Sequence, residues 1–203
     1  MRFDRACLNW VLSALLCAVA GDAAARATGP ARTQRIDMVV IHSTGGPACD
    51  AATGRPVWIG AGTLADNLRE IEAHPTLGIH YMVDRDGTVR ASVPEDQLAH
   101  HVFRHSGRSV AIELVNEGDG RDAFPPVQVD ALVTLLRDIV KRRGIAREGI
   151  VRHSDLDHGA LPCAPTQRRK VDPGGAFPFE RVLERVFGAG RVMPRASSRG
   201  DAA

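Results

Sequence analysis

The run IDMVVIH, from Ile36 to His42, constrains this chain more than any other stretch. It is almost unbroken in apolar character, has the length of a strand and ends on a histidine. An unbroken run of that length reads as a strand buried on both faces. SVAIELVN (Ser109 to Asn116) reads as a second buried strand, and GIVRH as a short last one running into His153.

Other segments supply the layers around such strands. TLADNLREIEAH (Thr63 to His74) places Leu64, Leu68 and Ile71 at helical spacing behind a Thr N-cap. PPVQVDALVTLLRDIVKRRG carries Val129, Leu132, Leu136, Ile139 and Val140 on one face, starts after prolines and stops at Gly144. PFERVLERVFG predicts a closing helix. GIHYMVDRDGTVRASV (Gly78 to Val93) has two β-rich runs around Asp86-Gly87, a hairpin pattern. STGGPACDAATGRP, after the first strand, reads as a long Gly/Pro loop. The order β, α, ββ, β, α, β, α predicts an α/β protein with a mixed central sheet flanked by helices.

The N-terminus indicates the compartment. MRFDR is a short basic start, ACLNWVLSALLCAVA is apolar, and Ala18-Val19-Ala20 is an A-x-A cleavage pattern. The run is short for a spanning helix, the reading as a retained anchor. We expect a signal peptide over 1–20, a linker over 21–35, one domain over 36–188 and a disordered tail over 189–203. The mature protein would be exported, periplasmic or secreted, without stable membrane insertion. Cleavage leaves Cys49 and Cys163, which in an oxidising compartment pair more often than they stay free. With 26 basic and 24 acidic residues and no basic–aromatic alternation, nucleic acid is a poor partner. Oligomeric state is not legible.

Of eight histidines, His42 and His153 stand apart, because each ends a predicted strand. A lone histidine there is more often a hydrogen-bonded structural residue; two in matching places with a nearby Asp or Cys point to a metal. Zinc suits two imidazoles plus one carboxylate or thiolate with an open fourth position. Both Asp172 and Cys163 follow His153 at workable distances, so the residues alone leave the third ligand open. Glu113 sits inside an apolar strand, where a carboxylate needs a compensating partner. Lys170, in the run RRK, reads equally well as a solvated surface group. His74 and His158 read as solvated.

Taken together, VVIHSTGG, HYMVDRDGTV, SVAIELVNEG and VRHSDLD…KVDPGGAFPFERVL resemble the zinc-dependent N-acetylmuramoyl-L-alanine amidases of the type 2 group. That group shares its fold with phage T7-type lysozymes and animal peptidoglycan recognition proteins. The resemblance covers Ile36 to Phe187. It implies one zinc ion per chain, held by His42, His153 and Asp172, with Glu113 as the catalytic glutamate and Lys170 polarising the substrate. His101 falls beside the substrate, and His80 matches a packing or supporting position near it. The implied reaction is hydrolysis of the amide joining N-acetylmuramic acid to L-alanine in peptidoglycan or muropeptides. A non-catalytic peptidoglycan-binding module of the same fold is the alternative, and a zinc peptidase cutting within the stem peptide is a further rival. Two departures bear on substrate selection: His100 stands where a Trp is usual, and His105 near a usual Asn. With Asp172 on zinc, Cys163 is left to a disulfide with Cys49.

Overall fold

The computed structural model describes residues 30–188. The expected signal peptide and tail, and most of the expected linker, lie outside these residues. The chain runs through β1 (Met38–Ser43), β2 (Gly46–Cys49), β3 (Pro56–Ile59), α1 (Leu64–Ala73), β4 (Tyr81–Val83) and β5 (Val89–Ala91). It continues through β6 (Ser109–Leu114), α2 (Pro126–Arg143), β7 (Ile150–Arg152), α3 (His153–Leu156), β8 (Ala160–Leu161), β9 (Ala164–Arg168) and α4 (Phe179–Phe187).

A five-stranded sheet of order β5-β4-β6-β1-β7 forms the centre. β1 lies parallel to both β6 and β7, β4 lies parallel to β6, and only β5 is antiparallel, as the hairpin partner of β4. This is the mixed sheet flanked by helices that the pattern predicts. Alternation along the strands sorts side chains between two faces. On one face Val39, Ile41, Val110, Ile112 and Leu114 pack with α2 and α4 in the main core. Leu132, Leu136 and Ile139 of α2 are fully buried there, each worth roughly 1.5–3 kcal/mol of transfer free energy. On the other face Ala111 and Val115 meet Leu64, Leu68 and Ile71 of α1. His42 and Glu113 fall on this second face by the same alternation.

The caps follow the expected chemistry. The Thr63 side chain accepts from the Asp66 N–H at the start of α1, and α2 ends on Gly144 in the left-handed conformation. Three segments hold structure that the sequence does not announce. The Gly/Pro stretch after β1 is no plain loop: its ends pair as the antiparallel hairpin β2–β3. These strands are not core-packed, and β3 is exposed throughout, so no apolar alternation marks them. The segment between His153 and Asp172 folds into α3 and the short β8–β9 hairpin. Ordered contacts also begin before Ile36. Arg32 donates to the carbonyls of Glu95, Ser106, Gly107 and Ser109, tying the chain's entry to the β5–β6 connection.

Candidate metal centre

Parallel strands deliver their C-terminal ends to one edge of a sheet, where α/β proteins place ligands. β1 ends there with His42 and Ser43, β6 carries Glu113 in register with His42, and β7 leads directly into His153. Asp172 arrives from the other side, on the turn before α4. Its backbone carbonyl accepts from the Ser154 N–H, which docks that turn on α3. The following Gly174 (φ 85°) lies against the 118–120 segment, where an added Cβ would come within 2.7 Å of the Gly118 carbonyl oxygen. Only glycine suits both the positive φ and the close approach.

The three side chains converge. Nδ1 of His42 is 2.9 Å from Nδ1 of His153, which is 3.0 Å from Oδ2 of Asp172. The remaining edge, His42 Nδ1 to Asp172 Oδ2, is 3.4 Å. All three residues are buried, and they form a group able to hold a metal ion. A tetrahedral zinc ion with bonds of about 2.0–2.1 Å spaces its donors about 3.3 Å apart, close to this triangle. No single hydrogen can serve three acceptor atoms aimed at one point, whereas a cation can. The residues fit zinc.

The electrostatics agree. Burial pushes His42 down to about 4, against the pull of Asp172, so its ring is neutral near pH 7 and free to ligate. His101 is likewise driven well below the usual imidazole range, mainly by burial. Burial opposes ionisation of Asp172, but hydrogen bonds to His153 and His42 outweigh it and hold the carboxyl below its ordinary range.

The triangle lies in a cleft of about 330 Å³ that Glu113 and Lys170 also line. Burial pushes Glu113 up to about 8, with the Asp172 charge adding to the rise and Lys170 opposing it. Lys170 is exposed on the cleft wall. Ile59 of β3, Asn67 and Glu70 of α1, and Arg169 complete the walls; nothing in their sequence setting separates them from ordinary surface residues. His100 and His74 reach the cleft as well, although His74 reads from sequence as a solvated helix end. Its Nδ1 accepts from the N–H groups of Thr76 and Leu77.

His101 and His80 take different places. His101 lines the cleft, but its Nδ1 is 2.9 Å from Nε2 of His42. His80 is fully buried behind the cleft, where Nδ1 accepts from the Ala111 N–H and Nε2 meets the Arg32 guanidinium at 2.6 Å. Cys163 is not in the metal triangle. It sits in the β8–β9 turn, with its sulfur 2.09 Å from that of Cys49 at the end of β2.

Comparison with known proteins places this geometry. Residues 32–175 match the N-acetylmuramoyl-L-alanine amidase family. The chain is 35% identical to N-acetylmuramoyl-L-alanine amidase AmiD of Escherichia coli over 112 residues, 48% of this chain and 37% of AmiD. It is 33% identical over 158 residues to 1,6-anhydro-N-acetylmuramyl-L-alanine amidase AmpD of Enterobacter cloacae, covering 71% of this chain and 77% of that protein. A solved complex of E. coli AmiD with the substrate anhydro-N-acetylmuramic acid-L-Ala-D-γ-Glu-L-Lys superposes with a TM-score of 0.58 at 28% identity, over 81% of this chain and 61% of that one. The sequence match thus spans little more than a third of AmiD's own length and the superposition less than two thirds of the solved AmiD chain, with the family match running from just before the first core strand through the Asp172 turn. It belongs to the N-acetylmuramoyl-L-alanine amidase family.

Proposed function

We propose that this chain is an exported, zinc-dependent amidase that hydrolyses the bond between N-acetylmuramic acid and L-alanine in peptidoglycan or muropeptides. The observation that carries this reading is the convergence of His42, His153 and Asp172 in the cleft that also holds Glu113 and Lys170. The muropeptide ligand of the AmiD complex supports the substrate class. Export is supported by the leader-like start of the sequence and by the Cys49–Cys163 pair, which suits an oxidising compartment. Among the described residues no helix is long and apolar enough to cross a membrane.

His42, His153 and Asp172 would hold one zinc ion, which supplies Lewis-acid polarisation of the scissile carbonyl and lowers the pKa of a water molecule. Glu113 takes the proton of the attacking water and returns it to the departing amine. Burial raises the proton affinity of Glu113 above that of an ordinary carboxylate, which favours its taking the proton from the attacking water. Lys170 presents a positive charge to the oxygen on which negative charge develops. The buried flank of the triangle fixes the ligands, while the open cleft side admits the substrate.

The test is digestion of a defined muropeptide by the mature protein, followed by mass spectrometry. Intact stem peptide and free N-acetylmuramic acid or its anhydro form are expected. Fragments cut within the stem would assign a peptidase instead, and binding without turnover by zinc-loaded protein would assign a binding module.

A further inference from the structure

The metal triangle leaves one nitrogen of His42 unused, and the structure gives it a partner. Nδ1 of His42 faces His153 and Asp172, so a cation there takes the Nδ1 lone pair and the ring proton sits on Nε2. Nε2 is 2.9 Å from Nδ1 of His101, which must then accept. That fixes the His101 proton on its own Nε2, 3.0 Å from Oγ of Ser109. The Ser109 hydroxyl in turn donates to the His105 carbonyl at 2.8 Å. Each donor meets one acceptor, and the direction of the chain is set at both ends, by the cation and by a backbone carbonyl.

We propose that His101 is a positioning residue of the metal centre: it accepts the Nε2–H of His42 and, through Ser109, locks that ligand's tautomer and ring orientation for zinc. The inference rests on the zinc reading above and adds a residue that touches no metal. The supporting frame is rigid. Ser109 is fully buried at the start of β6, and the two rings meet edge to face with centroids 5.1 Å apart. The Ser106 hydroxyl accepts from the N–H groups of both His101 and Val102 and donates to the Val102 carbonyl, which clamps the loop carrying His101. An outer hydrogen bond of this kind raises the basicity of a ligating imidazole and removes the freedom to rotate out of place.

Zinc affinity of the mature protein, measured by competition with a chromophoric chelator at fixed pH, tests the assignment. His101→Ala should bind zinc about 10- to 100-fold more weakly. His101→Asn should recover much of the loss, because its Oδ1 can stand where Nδ1 accepts; a purely space-filling role would not distinguish these variants in that way. Ser109→Ala should weaken binding less than His101→Ala does. Ring 1H–15N correlation spectra of the zinc-loaded wild type give a second readout that needs no variant, with both His42 and His101 expected to carry their proton on Nε2. A His101 proton on Nδ1, or His101→Ala binding zinc within about twofold of wild type, overturns the proposal while leaving the amidase reading intact. A wild type that binds no zinc overturns both.

Discussion

His42 and Glu113 lie directly opposite each other on the neighbouring parallel strands β1 and β6, and alternation turns both toward the cleft. A candidate ligand and a candidate base therefore share one rigid rung of the sheet, where a displacement of about 1 Å would already impair catalysis. Because the strand backbone sets their spacing, a change of side-chain chemistry at one site should leave the other in place. Glu113→Gln keeps the shape and removes the base. We expect it to retain zinc and thermal stability while turnover falls by about 10²- to 10⁴-fold. Zinc content and kcat on a muramyl peptide, measured on the same preparation, check this. Near-wild-type turnover would exclude Glu113 as the base.

Lys170 stands on the open wall of the same cleft and is not one of the converging ligands. Its assigned work is confined to charge that develops during the reaction. Lys170→Met should therefore lower kcat about 100-fold or more with zinc content unchanged. If KM rose while kcat held, Lys170 would bind the ground state instead, and its oxyanion role would be withdrawn.

The third ligand is the point where sequence alone stopped, since Asp172 and Cys163 both follow His153 at plausible spacing. In the structure Asp172 completes the triangle and Cys163 meets Cys49 across 114 residues of chain. Asp172→Ala should lose zinc. Cys163→Ser should keep zinc but lose about 2–4 kcal/mol of stability, since the cross-link no longer restricts the unfolded chain. Zinc content and chemical denaturation of the two variants separate the roles; loss of metal in Cys163→Ser alone would reverse the assignment.

What the sequence shows, and what it hides, follows from how each feature is encoded. β1 and β6 announce themselves as apolar runs, because both of their faces are buried, and α1 and α2 through an apolar period of about 3.6 residues punctuated by Thr63 and Gly144. His42 and His153 are legible for the same reason, as polar endings of apolar strands. The β2–β3 hairpin leaves no such trace, since its strands bury no alternating face. Gln128 looks like a solvent-facing helix residue, yet it is buried and donates to the carbonyls of Val83 and Val115, joining α2 to the sheet. Ser109, Arg32 and Glu95 act through partners far away along the chain or through a single hydroxyl. Contacts of that kind have no period and become visible only once the strands are assembled.

Glu95 supplies the clearest dependence of stability on pH. Its carboxylate is buried and accepts from the Tyr81 hydroxyl at 2.8 Å, from both terminal nitrogens of Arg142 and from Nε of Arg143 at 2.7 Å. The group thereby fastens the C-terminal end of α2 to β4 and the segment after β5. Burial disfavours its charge, but hydrogen bonds from Arg142, Tyr81 and Arg143 outweigh that cost and bring it down to about 2, from 4.5 for a free glutamate. A carboxyl whose folded pKa is depressed stabilises the fold above its unfolded pKa and loses that contribution as pH falls through the folded value. The interaction is thus complete above about pH 5 and is lost between there and about pH 2, a change on the order of 3 kcal/mol. Glu95→Gln cannot ionise, so it should be less stable than wild type at pH 7, where Arg142 and Arg143 lose their buried counter-charge. The gap between the two proteins should shrink as pH falls toward 2. Urea denaturation of both at several pH values reads this directly, and comparing the pair removes the contribution of other carboxylates such as Asp172. A gap that stayed constant from pH 6 to pH 2.5 would show that the Glu95 carboxylate does not link α2 to the sheet through its charge.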